Sequence, residues 1–209
     1  MAGEATTLDL RAAGRWLAVA ILALAVATAL DSWVFRHLAL PDVYEHDWGR
    51  LLRILGFLPT WLVVSIALVL CDAPPDGARA SRVRRLRGLL PFVAATLGGL
   101  AGEVLKLLLR RERPGAHAGE YVFRSWSDHP LSTAGLALPS SHALVAFAAA
   151  AMLARLYPRA SWLWFALAAG CALTRVLARA HFLSDVTLAA IVGWVVAAGL
   201  WRWYLRRRG

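Results

Sequence analysis

Apolar residues fall into six long runs along the chain, separated by shorter polar segments. A helix needs roughly 20 consecutive, mostly apolar residues to cross the hydrocarbon core of a bilayer. The sequence therefore predicts an all-α, polytopic membrane helix bundle with six transmembrane helices, in which residues 1–209 form a single domain. The predicted spans are approximately Trp16–Phe35, Ile54–Cys71, Leu89–Leu109, Pro139–Tyr157, Trp162–Leu177 and Val186–Tyr204.

The composition also favours a membrane protein. Hydrophobic residues make up 59% of the 209 residues, charged residues make up 17%, and the mean hydropathy is +0.56. A soluble domain usually contains about 25% charged residues. Cys71 and Cys171 each lie in a predicted span without a CxxC pair, so we expect free, buried thiols.

The net charge of +10 comes from 22 arginines and one lysine, which lie mostly at the ends of the predicted spans. Six spans place both termini on one side of the membrane, and 13 of the 23 basic residues fall on that side. The positive-inside rule then predicts a multi-pass protein of the inner (cytoplasmic) membrane with both termini in the cytoplasm. We expect the segment "ARASRVRRLRG" to be a solvated loop beside lipid, with no nucleic-acid partner. The 13 residues are Arg11, Arg15, Arg79, Arg82, Arg84, Arg85, Arg87, Arg155, Arg159, Arg202, Arg206, Arg207 and Arg208.

The longest connection between spans, residues 113–141, lies on the opposite side from the termini. Connections of this length more often carry a function than serve only to join two spans. Its two histidines follow no metal-ligand spacing, so we expect a solvated loop and no metal ion or cofactor. Its aromatic residues, Tyr121, Phe123 and Trp126, suit a segment at the level of the lipid headgroups.

The first polar segment at a span end is "EVLKLLLRRERP", residues 103–114. On a continuous helix, Lys106, Arg110 and Arg113 share one face, until Pro114 stops the helix. We expect Glu103, one turn earlier, to orient Lys106 through an ion pair. The alternative is a helix end whose long basic side chains extend to the membrane interface.

The second segment is "LPSSHA", residues 138–143. Proline followed by two serines predicts a helix start with a serine as N-cap. A helix N-terminus presents unpaired backbone N–H groups that bind phosphate well. His142 would lie in the first turn, beside a bound anion. The alternative is simple capping with an incidental histidine.

The third segment is "TRVLARAHFLSD", residues 174–185. Ionisable residues at this depth of a membrane protein indicate function by default. His181 and Asp185 are four residues apart, so on one helical turn the carboxylate reaches the imidazole. The alternative is a structural ion pair between Arg179 and Asp185.

Together the three segments resemble the signature of the type 2 phosphatidic acid phosphatase superfamily, which also contains vanadium haloperoxidases. The resemblance covers predicted spans three to six and indicates an integral membrane member. Ser141 replaces the glycine expected before His142, and Thr174 replaces the serine expected before Arg175. The matching residues are Lys106, Arg113 and Pro114; Pro139, Ser140 and His142; and Arg175, His181 and Asp185.

The resemblance implies a metal-independent phosphatase that works through a phosphohistidine. His181 would be the nucleophile, Asp185 would hold its other nitrogen, and His142 would act as general acid and then base. The phosphoryl oxygens would be bound by Lys106, Arg113, Ser140, Ser141 and Arg175, with Glu103 and Thr174 in support.

The three segments lie at the span ends opposite the basic cytoplasmic loops. The site is therefore expected at the outer ends of helices three to six, facing the periplasm or outside, with residues 113–141 over it. A lipid headgroup reaches this depth while its tails stay in the bilayer, so we expect a lipid phosphate or pyrophosphate substrate. Undecaprenyl pyrophosphate, phosphatidylglycerol phosphate, phosphatidic acid and lipid A phosphate all remain open. So do phosphoryl transfer to another lipid and a non-catalytic anionic-lipid binder or transporter, and the oligomeric state is unspecified.

Overall fold

The computed structural model describes the backbone of residues 2–71 and 78–207, and the side chains of residues 11–71 and 86–207. This part of the chain folds into helices and contains isolated β-bridges but no strand. The all-α prediction is confirmed. The helices are α1 (Ala2–His37), α2 (Asp47–Ile54), α3 (Leu58–Cys71), α4 (Ala78–Leu109), α5 (Ser141–Leu156), α6 (Ser161–Leu177) and α7 (Leu183–Arg206), with 3-10 turns at Pro114–Ala116 and Pro158–Ala160.

Apolar helices long enough to cross a membrane dominate the described residues. Four segments qualify individually, and the α2–α3 pair makes a fifth if it counts as one broken span. Helix α5 has 16 residues and is about 24 Å long, shorter than a hydrocarbon core of about 30 Å. The chain is thus a membrane-embedded helical protein, and the six-span count stays a prediction. The four segments are Arg11–His37, Leu86–Leu109, Pro158–Leu177 and Leu183–Arg206.

The second predicted span is interrupted in the structure. Helices α2 and α3 are bent by 68° at a short break, so the helix does not run on from Ile54 as the sequence predicted. The break is stabilised by the Trp61 indole N–H, which donates to the Leu55 carbonyl at 2.8 Å. Gly56 lies in the break, where an added Cβ would come within 2.6 Å of the His142 Cβ. A count of apolar residues cannot detect such a bend, because each half is apolar on its own.

Helix α5 forms the centre of the bundle, packed against α4, α6 and α7. Most of its residues after the first turn are buried, and many of them are alanine. Small side chains let neighbouring helices approach closely. Gly98 of α4 and Gly193 of α7 both lie against Leu144 and Ala148 of α5. This short helix is therefore the scaffold on which the longer helices are placed.

Replacing Gly193 by alanine is expected to destabilise the protein by about 1–3 kcal/mol, the usual effect of overpacking. The added Cβ would lie 2.9 Å from the backbone nitrogen of Ala148 and 3.1 Å from the carbonyl oxygen of Leu144, and backbone atoms cannot move aside cheaply. The free energy of unfolding would be measured by SDS titration in mixed micelles, followed by tryptophan fluorescence. Gly199→Ala, in the same helix, is the control, because its added Cβ would meet no described atom within 4 Å apart from the adjacent backbone of its own helix. Equal stability of the two variants would contradict this packing.

Two expectations about the outer parts of the chain need correction. Cys71 is exposed, whereas Cys171 is buried; both are free thiols. The basic segment predicted as a loop is helical from Ala78 onwards, because α4 extends well beyond its apolar part. The preceding connection, residues 72–77, and the side chains of residues 78–85 lie outside the described parts of the chain.

Candidate active site

The three polar segments meet at one end of the helix bundle. The Ser140 N–H donates to the Asp185 carbonyl at 3.3 Å, which joins the start of α5 to the start of α7. The Gly115 N–H donates to the Arg179 carbonyl at 3.1 Å, which joins the chain after α4 to the chain after α6. Because consecutive helices run in opposite directions, the ends of α4 and α6 coincide with the starts of α5 and α7. Residues as far apart in the sequence as Glu103 and Asp185 therefore share one site.

Three basic side chains cluster in this site. Lys106 interacts electrostatically with Arg113 and Arg175, and the two arginines interact with each other. Lys106 and Arg175 are buried, whereas Arg113 is exposed. Glu103 lies 3.2 Å from the Lys106 Nζ, so the expected ion pair is present. Among the described residues, no carboxylate oxygen lies within 4.0 Å of Arg113 or Arg175. The cluster therefore has a net positive charge that suits an anion.

The start of α5 adds backbone donors to this cluster. Ser140 is the N-cap, and its hydroxyl accepts from the Ala143 N–H at 3.5 Å. The N–H groups of the first turn have no acceptor within the helix and can bind an anion. The Nε2 of His142 is buried and has no hydrogen-bond partner among the described residues. An unpaired buried polar atom is costly, so its position beside the cations indicates a site for a polar ligand.

One ring nitrogen of His181 is hydrogen-bonded, and the other is available to a substrate. Its Nδ1 lies 3.0 Å from the Ala137 carbonyl oxygen and 3.6 Å from the Asp185 Oδ2. Both oxygens only accept, so Nδ1 carries the proton and Nε2 keeps its lone pair. Burial lowers the pKa of His181 to about 4, so the ring is neutral at neutral pH. A neutral imidazole nitrogen with a free lone pair can attack phosphorus.

Asp185 supports the chain around His181. The carboxylate accepts from the Phe182 N–H at 2.7 Å and pairs with the buried guanidinium of Arg111. His181 itself precedes α7, so the two residues do not share a helical turn as the sequence predicted. They approach because Asp185 lies in the first turn of α7 and accepts from the backbone before the helix. The suggested ion pair with Arg179 does not form among the described contacts, since Arg111 takes that place and Arg179 packs on the Phe35 ring at 4.8 Å.

The two residues that depart from the expected signature make local hydrogen bonds. The Ser141 hydroxyl donates to the Glu103 Oε1 at 2.6 Å. This carboxylate also pairs with Lys106, so Ser141 is linked to the basic cluster, and its contact with phosphate stays a prediction. The Thr174 hydroxyl donates to the Cys171 carbonyl at 2.8 Å within α6 and is buried. Threonine thus keeps the hydrogen-bonding capacity of the serine it replaces.

The shared helical face predicted for Lys106, Arg110 and Arg113 is wrong. Helix α4 ends at Leu109, and Arg110 has a positive φ of 53°. The Arg110 side chain turns away from the cluster and donates to the carbonyls of Arg124, Ser125, Asp128 and Pro130. Arg110 therefore joins residues 124–130 of the loop, and of the three predicted residues Lys106 and Arg113 contribute to the cluster.

The loop histidines are also engaged locally. The His117 Nε2 lies 2.5 Å from Glu112, which Arg124 also contacts at 2.8 Å. These two partners hold the pKa of Glu112 below its usual range. His129 is largely exposed. Within the described residues, no three His, Cys, Asp or Glu side chains come together as a metal site.

Sequence reasoning missed a buried polar network that links α1 to the site. Asp31 of α1 accepts from the Ser184 N–H and from the Tyr121 hydroxyl, both at 2.8 Å. Arg111 donates to the Ser184 hydroxyl at 2.7 Å as well as pairing with Asp185. An aspartate inside an apolar run was the available signal, because ionisable groups in a membrane span are rarely incidental. Arg111 gave no such signal, since it stands in a run of basic residues.

A second omission is the contribution of the chain between α1 and α3. The Tyr44 hydroxyl donates to the Thr174 carbonyl at 3.1 Å and accepts from the Arg175 Nη1 at 2.7 Å. Arg53 of α2 lies over the Tyr44 ring, with its guanidinium carbon 4.6 Å from the ring centroid. Neither residue belongs to a recognisable motif, so only their positions in the fold connect them with the site.

A neutral histidine with a free nitrogen, beside clustered cations and a helix N-terminus, defines a membrane protein of the phosphoryl-transfer class. The family model of the PAP2 superfamily matches residues 87–209, which is more than half of the chain. The protein belongs to the PAP2 superfamily, whose members are phosphatases acting on phosphate esters. No curated protein sequence matches this chain significantly. The matched segment contains all three polar segments and excludes α1, α2 and α3.

Proposed function

We propose that this protein hydrolyses the phosphomonoester or pyrophosphate group of a membrane lipid, through a phosphohistidine at His181 and without a metal ion. The observation that carries the proposal is the unprotonated Nε2 of His181. Its Nδ1 proton is directed to two acceptor oxygens, and Arg113 and Arg175 interact electrostatically with the ring. His181 and these cations lie together, and the burial of His181, Lys106 and Arg175 supports the proposal.

In the first step, the Nε2 of His181 forms a bond to phosphorus while the bond from phosphorus to the leaving oxygen breaks. His142 takes up a proton when the anionic substrate binds and offsets the charges of the nearby arginines, and it donates this proton to the leaving oxygen. Lys106, Arg113 and Arg175 bind the phosphoryl oxygens, where negative charge spreads in the transition state. The Ala137 carbonyl and Asp185 stabilise the positive charge that develops on the His181 ring.

In the second step, water attacks the phosphohistidine and the bond between nitrogen and phosphorus breaks. His142, now neutral, accepts the proton from water and returns to its starting state. The electron pair of the broken bond restores the lone pair on Nε2. These two steps need no redox change and no further reactant. Fixed cations and backbone N–H groups supply the charge stabilisation that a metal ion would provide in a metal-dependent phosphatase.

A lipid substrate is supported by the location of the site at the ends of membrane helices. Exposed aromatic and aliphatic side chains of the loop, Phe123, Trp126 and Leu131, adjoin this end. Such residues suit the interfacial layer, where a headgroup can enter while its tails stay among lipids. The distribution of arginines favours an inner-membrane protein with cytoplasmic termini and a site that faces the periplasm or outside.

The direct test is phosphate release from a panel of lipid phosphates in detergent micelles. Phosphatidic acid, phosphatidylglycerol phosphate, undecaprenyl pyrophosphate and lipid A cover the headgroups that remain open, and a soluble aryl phosphate is the control. We expect hydrolysis of at least one lipid substrate, inhibition by vanadate as a mimic of pentacoordinate phosphorus, and full activity in EDTA. Loss of activity in EDTA would contradict the metal-free scheme. If phosphate is released from none of the lipids, the result favours the alternative of a non-catalytic anionic-lipid binder or transporter.

A further inference from the structure

Arg53 of α2 lies next to His142, although it is outside the segment that the family model matches. Gly56, just after α2, packs directly on the His142 side chain. The Phe57 ring meets the His142 ring edge to face with centroids 5.0 Å apart, and the Arg53 guanidinium carbon lies 5.7 Å from the Phe57 centroid. The bend between α2 and α3 therefore places Arg53 beside the first turn of α5.

Arg53 has no anionic partner in the described part of the chain. No carboxylate oxygen lies within 4.0 Å of its guanidinium nitrogens. Its Nε is buried and has no hydrogen-bond partner among those residues. The guanidinium rests on the Tyr44 ring, and the Arg175 guanidinium carbon lies 5.7 Å from the centroid of the same ring. Two arginines that share one aromatic ring without a carboxylate form an anion-binding position.

The basic groups are divided between the two histidines. Arg113 and Arg175 interact with His181, whereas Arg175 and Arg53 are the groups whose charges act most strongly on His142. Arg175 thus interacts with both histidines. Arg113 interacts with His181, and Arg53 interacts with His142. In the proposed mechanism the phosphorus is attacked on the His181 side, and the leaving oxygen takes its proton on the His142 side.

We infer that Arg53, supported by the Tyr44 ring, forms a second anion subsite for a leaving group that is itself a phosphate, so that the enzyme favours lipid diphosphates over lipid monophosphates. The inference rests on the proposed function. With a diphosphate, His181 attacks the terminal phosphorus, the bond to the bridging oxygen breaks, and the lipid monophosphate leaves with the His142 proton on that oxygen. Its negative charge then lies beside Arg53. A lipid monophosphate instead releases a neutral alcohol, which gives Arg53 no charge to bind.

The test compares two substrates with the same tail, farnesyl diphosphate and farnesyl monophosphate, in detergent micelles. The kcat/KM of the first phosphate release is measured after chromatographic separation of the products. Arg53→Met should lower kcat/KM for the diphosphate by about ten- to a hundred-fold, the range for losing a charge-assisted hydrogen bond. The kcat/KM for the monophosphate should fall by at least about ten-fold less, because an effect through His142 is common to both substrates and only the diphosphate uses the subsite. Arg50→Met is the matched control, since Arg50 lies on the same helix, is exposed and pairs only with Asp47 among the described contacts.

The outcomes separate this inference from the proposed function. If Arg53→Met lowers both substrates equally, or neither, the subsite is overturned while the phosphatase remains. If the unaltered enzyme releases phosphate from neither farnesyl substrate nor any lipid phosphate, the proposed function and the inference fall together. Arg53→Lys, which keeps the charge and the hydrocarbon stem, replaces the methionine variant if that one does not fold. Because lysine lacks the planar guanidinium that stacks on Tyr44, the preference for the diphosphate should fall by about three- to ten-fold. An equal loss of rate on both substrates would overturn the subsite.

Discussion

His181→Ala should abolish phosphate release, with a loss on the order of 10⁴- to 10⁶-fold, as for removal of a nucleophile from other hydrolases. The reason is that the Nε2 lone pair forms the covalent intermediate, and alanine has no group that can bond to phosphorus. His181 is buried, and its Nδ1 bonds the Ala137 carbonyl, so folding is checked by the elution volume and the tryptophan fluorescence of the variant.

The intermediate itself can be detected. Brief incubation with a substrate labelled in its terminal phosphate, followed by an alkaline quench, should leave the label on the unaltered protein and none on His181→Ala. His37→Ala is the control, because His37 is exposed at the end of α1 and contacts only its own helix through Trp33 in the described structure. Full activity of the His181 variant, or label retained on it, would exclude the phosphohistidine mechanism.

Arg111→Met should lower the free energy of unfolding by about 3–5 kcal/mol, because it leaves the carboxylate of Asp185 buried without a charged partner. Asp185 is fully buried, and Arg111 lies between the rings of Tyr121 and Phe182 at 5.0 and 5.1 Å. Methionine fills a similar volume, so the loss reports the missing charge and hydrogen bonds rather than a cavity. Unfolding is followed by SDS titration with tryptophan fluorescence.

Arg50→Met provides the comparison for the same chemical change. Arg50 and Asp47 form an ion pair of 2.6 Å, but both side chains are exposed at 57% and 97%. Exposed pairs contribute only about 0–1 kcal/mol, so this variant should unfold almost like the original protein. If the two variants are equally stable, the Arg111–Asp185 pair does not hold the start of α7 in place. The argument that Asp185 positions His181 through the backbone would then fail.

Helical content and the residues of the three polar segments could be predicted because both depend on local sequence. Apolar runs identify helices wherever they pack, and the spacing of Lys106–Arg113 and of His181–Asp185 is visible in short stretches. The resemblance then associates His142 with the same site. The prediction failed where the chain turns. Neither the bend before Leu58 nor the left-handed backbone at Arg110 changes the apolar pattern, so both were treated as continuous helix.

The partners of the buried polar groups could not be predicted, because they depend on which helix ends meet. Asp31 and Ser184 are 153 positions apart, and Arg111 and Asp185 are 74 apart. In the sequence, Arg111 is indistinguishable from Arg110, yet one pairs with Asp185 and the other holds loop carbonyls. Arg53 is likewise one arginine among many until the bend beside Gly56 places it against His142.

The sequence by itself thus determined that this is an all-helical membrane protein with a phosphate-binding signature, because apolar run length and motif spacing are properties of neighbouring residues. Only the tertiary structure decided which nitrogen of His181 is free, which arginine neutralises Asp185 and which cation stands beside His142. Each of those depends on burial, since a polar group removed from water must find its partner within the fold, and the packing of distant helix ends selects that partner.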